Sequence, residues 1–257
     1  MKTRLIHLFL TVALLVCAAA VAPGQGKIYT RKARLADFPT RTTKVVVGGH
    51  SILELALREE IPVHWRISPY EFCDQQEYER LSSSPSYYFL TLGHDGGLAF
   101  LVLSKGGHDA VANNAERPFE VVRLPIASYD EPSGRELVFM GAFLDILQQY
   151  VEQAMISERT AYSGPNAANG VRLSGKTVYL DPDTADRMYL QGESDALCGI
   201  CVAPAEPGPD AFCYKMLIAA DTHELFYYAK AKYKNPGDAA FTPAEVKAFE
   251  RRRAIIK

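Results

Sequence analysis

The sequence predicts a mixed α/β protein: a mixed β-sheet with helices on at least one face and an antiparallel meander towards the C-terminus. Two observations support this class. Short apolar runs of strand length recur along the chain, and they alternate with amphipathic segments of helical period. The resulting order, β-α-β-α-β-β-β-α-β-β-β-β-α, is typical of one mixed sheet that packs against helices.

The first predicted unit is a strand, a turn and a helix. Residues 44–47 form an apolar, β-branched run that Gly48 and Gly49 terminate. Ser51 then precedes a helical pattern and is followed three residues later by Glu54, which is the spacing of a capping box. The Gly-Gly pair is explained by a tight turn, although a helix N-terminus at this place could also hold an anion.

The next predicted elements run from residue 63 to residue 103. Residues 63–67 are predicted as a strand, and Ser68 is predicted to cap a helix that reaches Leu81. Two apolar runs, 87–92 and 98–103, are separated by a glycine-rich turn and predict a hairpin.

A long amphipathic helix over residues 135–157 is the strongest helical signal. After it we expect the strands 177–180, 196–202, 212–219 and 224–233, of which the last three form the meander. A final helix is predicted to begin at Thr242, with Glu245 completing a capping box. Residues 27–257 are therefore predicted as one α/β domain, with the meander region at about 171–235.

The N-terminus has the order of a secretory signal: a basic start, an apolar run and small residues. We predict that residues 1–26 are removed, with the cut between residues 20 and 26. Removal would leave 26 basic against 30 acidic residues, a formal charge of −4, and this mild balance argues against a nucleic-acid partner. No later segment has the ~20 apolar residues of a membrane span, so we expect an exported protein of the periplasm or cell surface.

Residues Gly170–Thr177 match the phosphate-loop pattern G-x-x-x-x-G-K-T. A working loop follows a buried strand and opens a helix, because the amides of the helix N-terminus hold the phosphates. Here a polar loop precedes the pattern and a strand-like segment follows it. We therefore predict neither nucleotide binding nor any other cofactor.

The cysteines offer four alternatives. Cys198 and Cys201 form a C-x-x-C motif, and Cys213 and Cys73 complete an even set in the mature chain. The favoured prediction is a disulfide from Cys198 or Cys201 to Cys213, followed by buried free thiols. Zinc binding with His223 and thiol redox chemistry are the remaining alternatives.

Lys230, Lys232 and Lys234 alternate along a predicted strand and would share one side of it. Such lysines protect an edge strand against aberrant pairing, or they contact an acidic partner or a glycan.

Other polar groups are interpreted as structural. His94 and His108 each stand in a Gly-His-Asp triplet and are predicted to be turn residues. The carboxylates from Asp181 to Asp195 favour an Asp-capped turn over a calcium site. We therefore predict no metal site, while a catalytic triad dispersed along the chain stays open.

The stretches TRTTKVVVGGHSILELALREE, WRISPYEFC and YLDPDTADRMYLQGESDALCGICVAP resemble a group of uncharacterised exported proteins from Bacteroidota-type bacteria. The resemblance implies a cell-envelope setting and no particular activity. We expect a non-enzymatic binding or assembly module whose partner is an envelope protein, a glycan or a small ligand. The alternative is an exported enzyme, either a thiol-disulfide protein or a hydrolase.

Overall fold

Ten strands form two five-stranded mixed sheets in the described part of the chain. The structure, a computed structural model, describes residues 30–49, 51–107 and 118–257. The predicted signal sequence lies outside the described residues, as do His50 and His108. Within these limits, residues Arg31–Lys257 form one compact unit.

The first sheet has the strand order β2-β1-β3-β4-β5. Strand β1 lies between two parallel neighbours, β2 and β3, and β3, β4 and β5 form an antiparallel meander. The strands are β1 (Thr43–Val46), β2 (Tyr70–Cys73), β3 (Tyr88–Asp95), β4 (Leu98–Lys105) and β5 (Phe119–Ser128).

The second sheet repeats this arrangement with the order β10-β6-β7-β8-β9. Strand β6 has the parallel neighbours β10 and β7, and β7, β8 and β9 form the predicted antiparallel meander. The strands are β6 (Thr177–Tyr179), β7 (Ala196–Val202), β8 (Phe212–Ala219), β9 (Leu225–Lys232) and β10 (Ile255–Ile256). The predicted fold class is confirmed, with the strands divided between two sheets.

Eight α-helices connect and cover the described strands. They are α1 (Arg31–Leu35), α2 (Ile52–His64), α3 (Gln75–Leu81), α4 (Arg135–Val138), α5 (Met140–Ile156), α6 (Glu158–Ser163), α7 (Pro182–Gln191) and α8 (Pro243–Arg251). A 3-10 segment, Gly164–Gly170, follows α6. None of the described helices is long and apolar enough to cross a membrane.

Two predicted helix starts and the long helix are confirmed. Ser51 accepts a hydrogen bond from the Glu54 amide at the start of α2, and Thr242 and Glu245 form a full capping box at the start of α8. The predicted helix 135–157 is present as α4 and α5, which are separated at Phe139. Helix α5 lies in the main core, where most of its residues are buried.

The prediction for residues 63–81 was wrong in two places. Helix α2 continues through Pro62 to His64, because Leu53, Leu57 and Ile61 keep one face of it in the core, and no strand forms at 63–67. Residues 70–73, predicted as the start of a helix, form β2 instead. Helix α3 begins only after Asp74, whose carboxylate accepts a hydrogen bond from the Glu77 amide at 2.7 Å.

Helices α1, α6 and α7 and strand β10 were not predicted. The acidic segment after Asp181 was interpreted as a turn, but Asp181 is the N-cap of α7 and Pro182 is its first residue. Strand β10 has only two residues, and its pairing with β6 depends on a contact distant in sequence.

Candidate functional site

The C-x-x-C motif lies inside a strand, not at a helix terminus. Because side chains alternate along β7, Cys198 and Cys201 point to opposite faces of the sheet. Cys198 faces the main core and donates to the Ala185 carbonyl at 3.1 Å. Burial raises the pKa of both thiols to about 12, and this favours the unreactive thiol over the thiolate. The geometry therefore disfavours thiol redox chemistry.

The favoured disulfide is not formed. Cys73, Cys198, Cys201 and Cys213 are all free thiols in the described structure. Cys201 lies directly opposite Lys215, two residues from Cys213 on β8, so the two cysteines are diagonal neighbours. Diagonal neighbours are ~7–8 Å apart, beyond the usual Cα separation of a disulfide.

The predicted zinc alternative fails for a related reason. Its four ligands do not converge, because Cys198 lies on one face of the sheet and Cys201 on the other. His223 contacts a carboxylate on α5 instead.

The phosphate-loop pattern leads into a strand, as its sequence context predicts. Its last residue, Thr177, begins β6. The Lys176 ammonium lies 2.7 Å from the Asp195 carboxylate. No helix begins at this lysine, so the pattern lacks the amides that would hold phosphates.

Two of the three lysines lie on one side of β9. The ammonium groups of Lys230 and Lys232 lie 4.0 and 4.2 Å from the ring centroid of Phe212. Strand β9 ends at Lys232, and Lys234 lies beyond it, where its backbone amide donates to Asp238. All three side chains are exposed, and their contact with a partner stays a prediction.

The other polar residues considered in the sequence are dispersed. Asp181 caps α7, and Asp186 pairs with Arg135 at 2.6 Å. His94 stacks on Tyr129, with ring centroids 3.9 Å apart. Asp181, Asp186 and Asp195 are thus engaged in separate contacts.

The structure brings together a group that the sequence analysis did not find. His64 at the end of α2, Asp145 on α5 and His223 in the β8–β9 turn converge, and we call them the His-Asp-His cluster. The Nδ1 atoms of His64 and His223 lie 2.9 and 2.7 Å from the same oxygen, Oδ2 of Asp145. Each side chain is about one-fifth exposed, so the cluster is open to solvent.

Helix α5 organises this cluster through neighbouring residues. The Gln148 amide donates to the His64 carbonyl at 2.9 Å and to Oδ1 of Asp145 at 3.3 Å. Gln149 donates to the Thr222 carbonyl at 3.0 Å and so holds the turn beside His223. A side chain at Gly141 would collide with the His64 ring, since a Cβ atom there would lie 2.4 Å from Nε2.

The electrostatics of Asp145 follow from these contacts. Burial alone would raise the pKa of its carboxyl, but the hydrogen bonds from His223 and His64 outweigh that effect and lower it. A second carboxylate approaches the cluster, because Oε2 of Glu60 lies 3.3 Å from Nε2 of His64. Two carboxylates and two imidazoles therefore lie together at one solvent-accessible site.

A cavity of about 500 Å³ opens beside the same helix. Its walls come from α5, β5, the 3-10 segment and the start of β9, and we call it the α5 cavity. Its large apolar lining residues are Val122, Leu124, Ile146, Leu147, Val171 and Leu225. Gln149, Gln153 and Thr160 add polar groups. The volume and this mixture are typical of small-molecule sites.

Comparisons with known proteins give no relative. The chain matches no family model, no curated protein and no solved structure. Its function must therefore be argued from its own geometry.

Proposed function

We propose that this protein is an exported, non-enzymatic binding module of the cell envelope, and that it holds a small amphipathic molecule in the α5 cavity. The observation that carries the proposal is the cavity itself: about 500 Å³, with apolar walls and a few polar side chains. A ligand buried there gains free energy from its apolar body, and the polar groups orient it.

Charge narrows the chemistry of the ligand. The charged residues among the described lining are Glu152 and Glu224, and neither Lys nor Arg lines the cavity. An anionic ligand would meet two carboxylates without a compensating cation. We therefore expect a neutral or positively charged ligand.

Two of the four sheet edges, those of β9 and β5, support a small ligand over an added strand from a protein partner. The Asn169 side chain donates to the Tyr228 carbonyl and accepts from the Tyr228 amide, both at 2.8 Å, and so occupies the edge of β9. Arg31 donates to the Glu120 carbonyl at 2.9 Å on the edge of β5. Because both places are occupied, strand addition there is disfavoured.

The non-enzymatic part of the proposal is supported by the state of the catalytic alternatives. In the C-x-x-C motif, Cys198 is buried and Cys201 is partly buried, and both thiols have raised pKa values. A triad hydrolase needs a nucleophile hydrogen-bonded to its histidine. Among the described residues, neither His64 nor His223 hydrogen-bonds to a serine, threonine or cysteine side chain.

The cavity is tested with a pair of fluorescent probes of similar size and different charge. We expect neutral N-phenyl-1-naphthylamine to bind more tightly than anionic 1-anilinonaphthalene-8-sulfonate. In Ala168→Trp, a larger side chain on the cavity wall fills part of the cavity, so binding of the neutral probe should be at least about tenfold weaker.

The matched control is Ala205→Trp, an exposed alanine in the β7–β8 connection, which should leave binding unchanged. Equal binding by both variants, or tighter binding of the anionic probe, would contradict the proposal.

Export is tested separately by the intact mass of the protein from a cell-envelope fraction. We expect a chain that begins between residues 21 and 27. A full-length chain in the cytoplasm would refute this part of the proposal.

A further inference from the structure

We infer that the His-Asp-His cluster is a binding site for a divalent transition-metal ion of the zinc class, held by Nδ1 of His64, Nδ1 of His223 and Oδ2 of Asp145. The three residues come from α2, α5 and the β8–β9 turn, 81 and 78 positions apart in sequence. Their ligand atoms all lie within 4.8 Å of one another. None of these three residues lines the α5 cavity.

The spacing of the donor atoms suits one ion. Atoms that bind a zinc-class ion at about 2.1 Å lie ~3.0–3.4 Å from one another, according to the coordination geometry. The two nitrogen-to-oxygen distances here are 2.9 and 2.7 Å, so these two pairs need to widen by only about half an ångström to reach that range. Two imidazoles and one carboxylate form a ligand set that such ions favour.

The two ring nitrogens of His64 face different carboxylates. Its Nδ1 atom lies 2.9 Å from Oδ2 of Asp145, and its Nε2 atom lies 3.3 Å from Oε2 of Glu60. A neutral imidazole carries one N–H, so it can donate to only one of these carboxylates, and its other nitrogen keeps a lone pair. With a metal ion between Nδ1 and Asp145, the remaining N–H at Nε2 donates to Glu60. This is the usual outer partner of a metal-binding histidine.

The backbone sets where the His223 imidazole lies. His223 has φ of 56°, in the left-handed region, which histidine adopts more often than most non-glycine residues. From this turn its Nδ1 lies 2.7 Å from Oδ2 of Asp145. Because the ligands are partly exposed, water can complete the coordination.

The test uses the mature chain without a histidine tag, freed of metal with a chelator and titrated with Zn²⁺ and Co²⁺. We expect one ion per chain and a rise of the melting temperature of roughly 5 °C at saturating Zn²⁺. His223→Asn keeps a residue that tolerates the left-handed backbone and removes the imidazole, so it should weaken binding at least about 100-fold. Glu60→Gln should weaken it about tenfold.

His94→Asn is the matched control, because His94 stacks on Tyr129 outside the cluster. It should bind metal like the wild type, and so should Ala168→Trp, which separates this site from the α5 cavity. His64→Gln provides a second ligand variant should His223→Asn fold poorly.

Three results would overturn the inference. They are the lack of stoichiometric binding by the wild type, equal affinities of His223→Asn and His94→Asn, and a cobalt spectrum with thiolate charge-transfer bands, which would place the ion at the cysteines.

Discussion

Each sheet buries a lysine on the face turned away from the main core, and the two lysines are paired differently. Lys44 on β1 reaches Glu71 at 2.6 Å and Glu77 at 2.9 Å, and the Glu71 side chain is 61% exposed. Lys215 on β8 reaches Glu245 on α8 at 3.0 Å, and these side chains are only 2% and 17% exposed. One lysine has two partners near water, whereas the other has a single buried partner.

Because of this difference, the loss of one carboxylate charge should affect the two lysines differently. Tyr227 donates to Oε1 of Glu245 at 2.9 Å, and the Thr242 amide donates to Oε2 at 2.7 Å, so the carboxylate is held on several sides. Loss of its charge would leave Lys215 positive and shielded from water. Beside Lys44, a second carboxylate and solvent remain when one partner is lost.

The largest expected effect is that of Glu245→Gln. Glutamine retains the helix cap but not the negative charge, so we expect the free energy of unfolding to fall by ~3–5 kcal/mol. Urea denaturation measures this change.

The double variant Lys215→Met with Glu245→Gln tests the cause. It should recover much of the loss, because no charge then remains unpaired. A double variant as unstable as Glu245→Gln alone would show that the pair is not the source of the effect.

Acid should produce a smaller effect through the same residue. Burial opposes ionisation of Glu245, but the hydrogen bonds from Thr242, Lys215 and Tyr227 prevail and hold the carboxyl pKa below its ordinary value of 4.5. A pKa lowered by folding adds stability above the unfolded-state pKa, and that stability is lost as the pH falls through the folded-state pKa.

The difference in unfolding free energy between wild type and Glu245→Gln should therefore begin to shrink as the pH falls below 4.5, and it should shrink further as the pH passes through the lowered folded-state pKa. Denaturant titrations at several pH values measure it, and a constant difference would argue against the lowered pKa.

Glu77→Gln should have the smallest effect on stability. Lys44 keeps Glu71, and both carboxylates are partly exposed, so we expect a loss below ~1 kcal/mol. A loss of stability as large as that of Glu245→Gln would show that Lys44 depends on a single carboxylate as strongly as Lys215 does.

Thiol labelling compares the outer faces of the two sheets without any substitution, because each face carries a cysteine. Cys73 lies beneath α3 on the outer face of the first sheet, and Cys201 lies opposite Lys215 on the outer face of the second. Burial raises their thiol pKa values to about 11 and about 12. At pH 8 both should be alkylated at least about 100-fold more slowly than an ordinary thiol.

In denaturant without reductant, Cys73, Cys198, Cys201 and Cys213 should all be labelled, because all four are free thiols in the described structure. If labelling required a reductant, a disulfide would be present and the description of these residues would be wrong.

The parts predicted well from the sequence are those fixed by neighbouring residues. The apolar runs predicted the meander strands, and the spacing of Ser51 to Glu54 and of Thr242 to Glu245 predicted two helix starts. Local signals failed where they had two interpretations. Asp181 was interpreted as a turn residue, although it caps α7. Residues 63–67 have the local pattern of a strand, but α2 continues to His64 because its packing in the core supports the helix.

The candidate sites show the limit of local patterns. C-x-x-C and the phosphate-loop pattern are conspicuous in the sequence, yet the first lies inside a strand and the second leads into one. His64, Asp145 and His223 form no motif, since each stands alone within its own segment. The left-handed position of His223 in a short turn is a weak signal at best.

The sequence by itself determined the fold class, most strands of the second sheet and the caps of α2 and α8. These features depend on backbone hydrogen bonding and side-chain alternation, which act within a few residues. Only the tertiary structure decided the division into two sheets, the pairing of β10, the opposed cysteines and the His-Asp-His cluster. These depend on contacts between segments far apart in the sequence, such as His64 and Asp145 at 81 residues, and such contacts form only when the core packs.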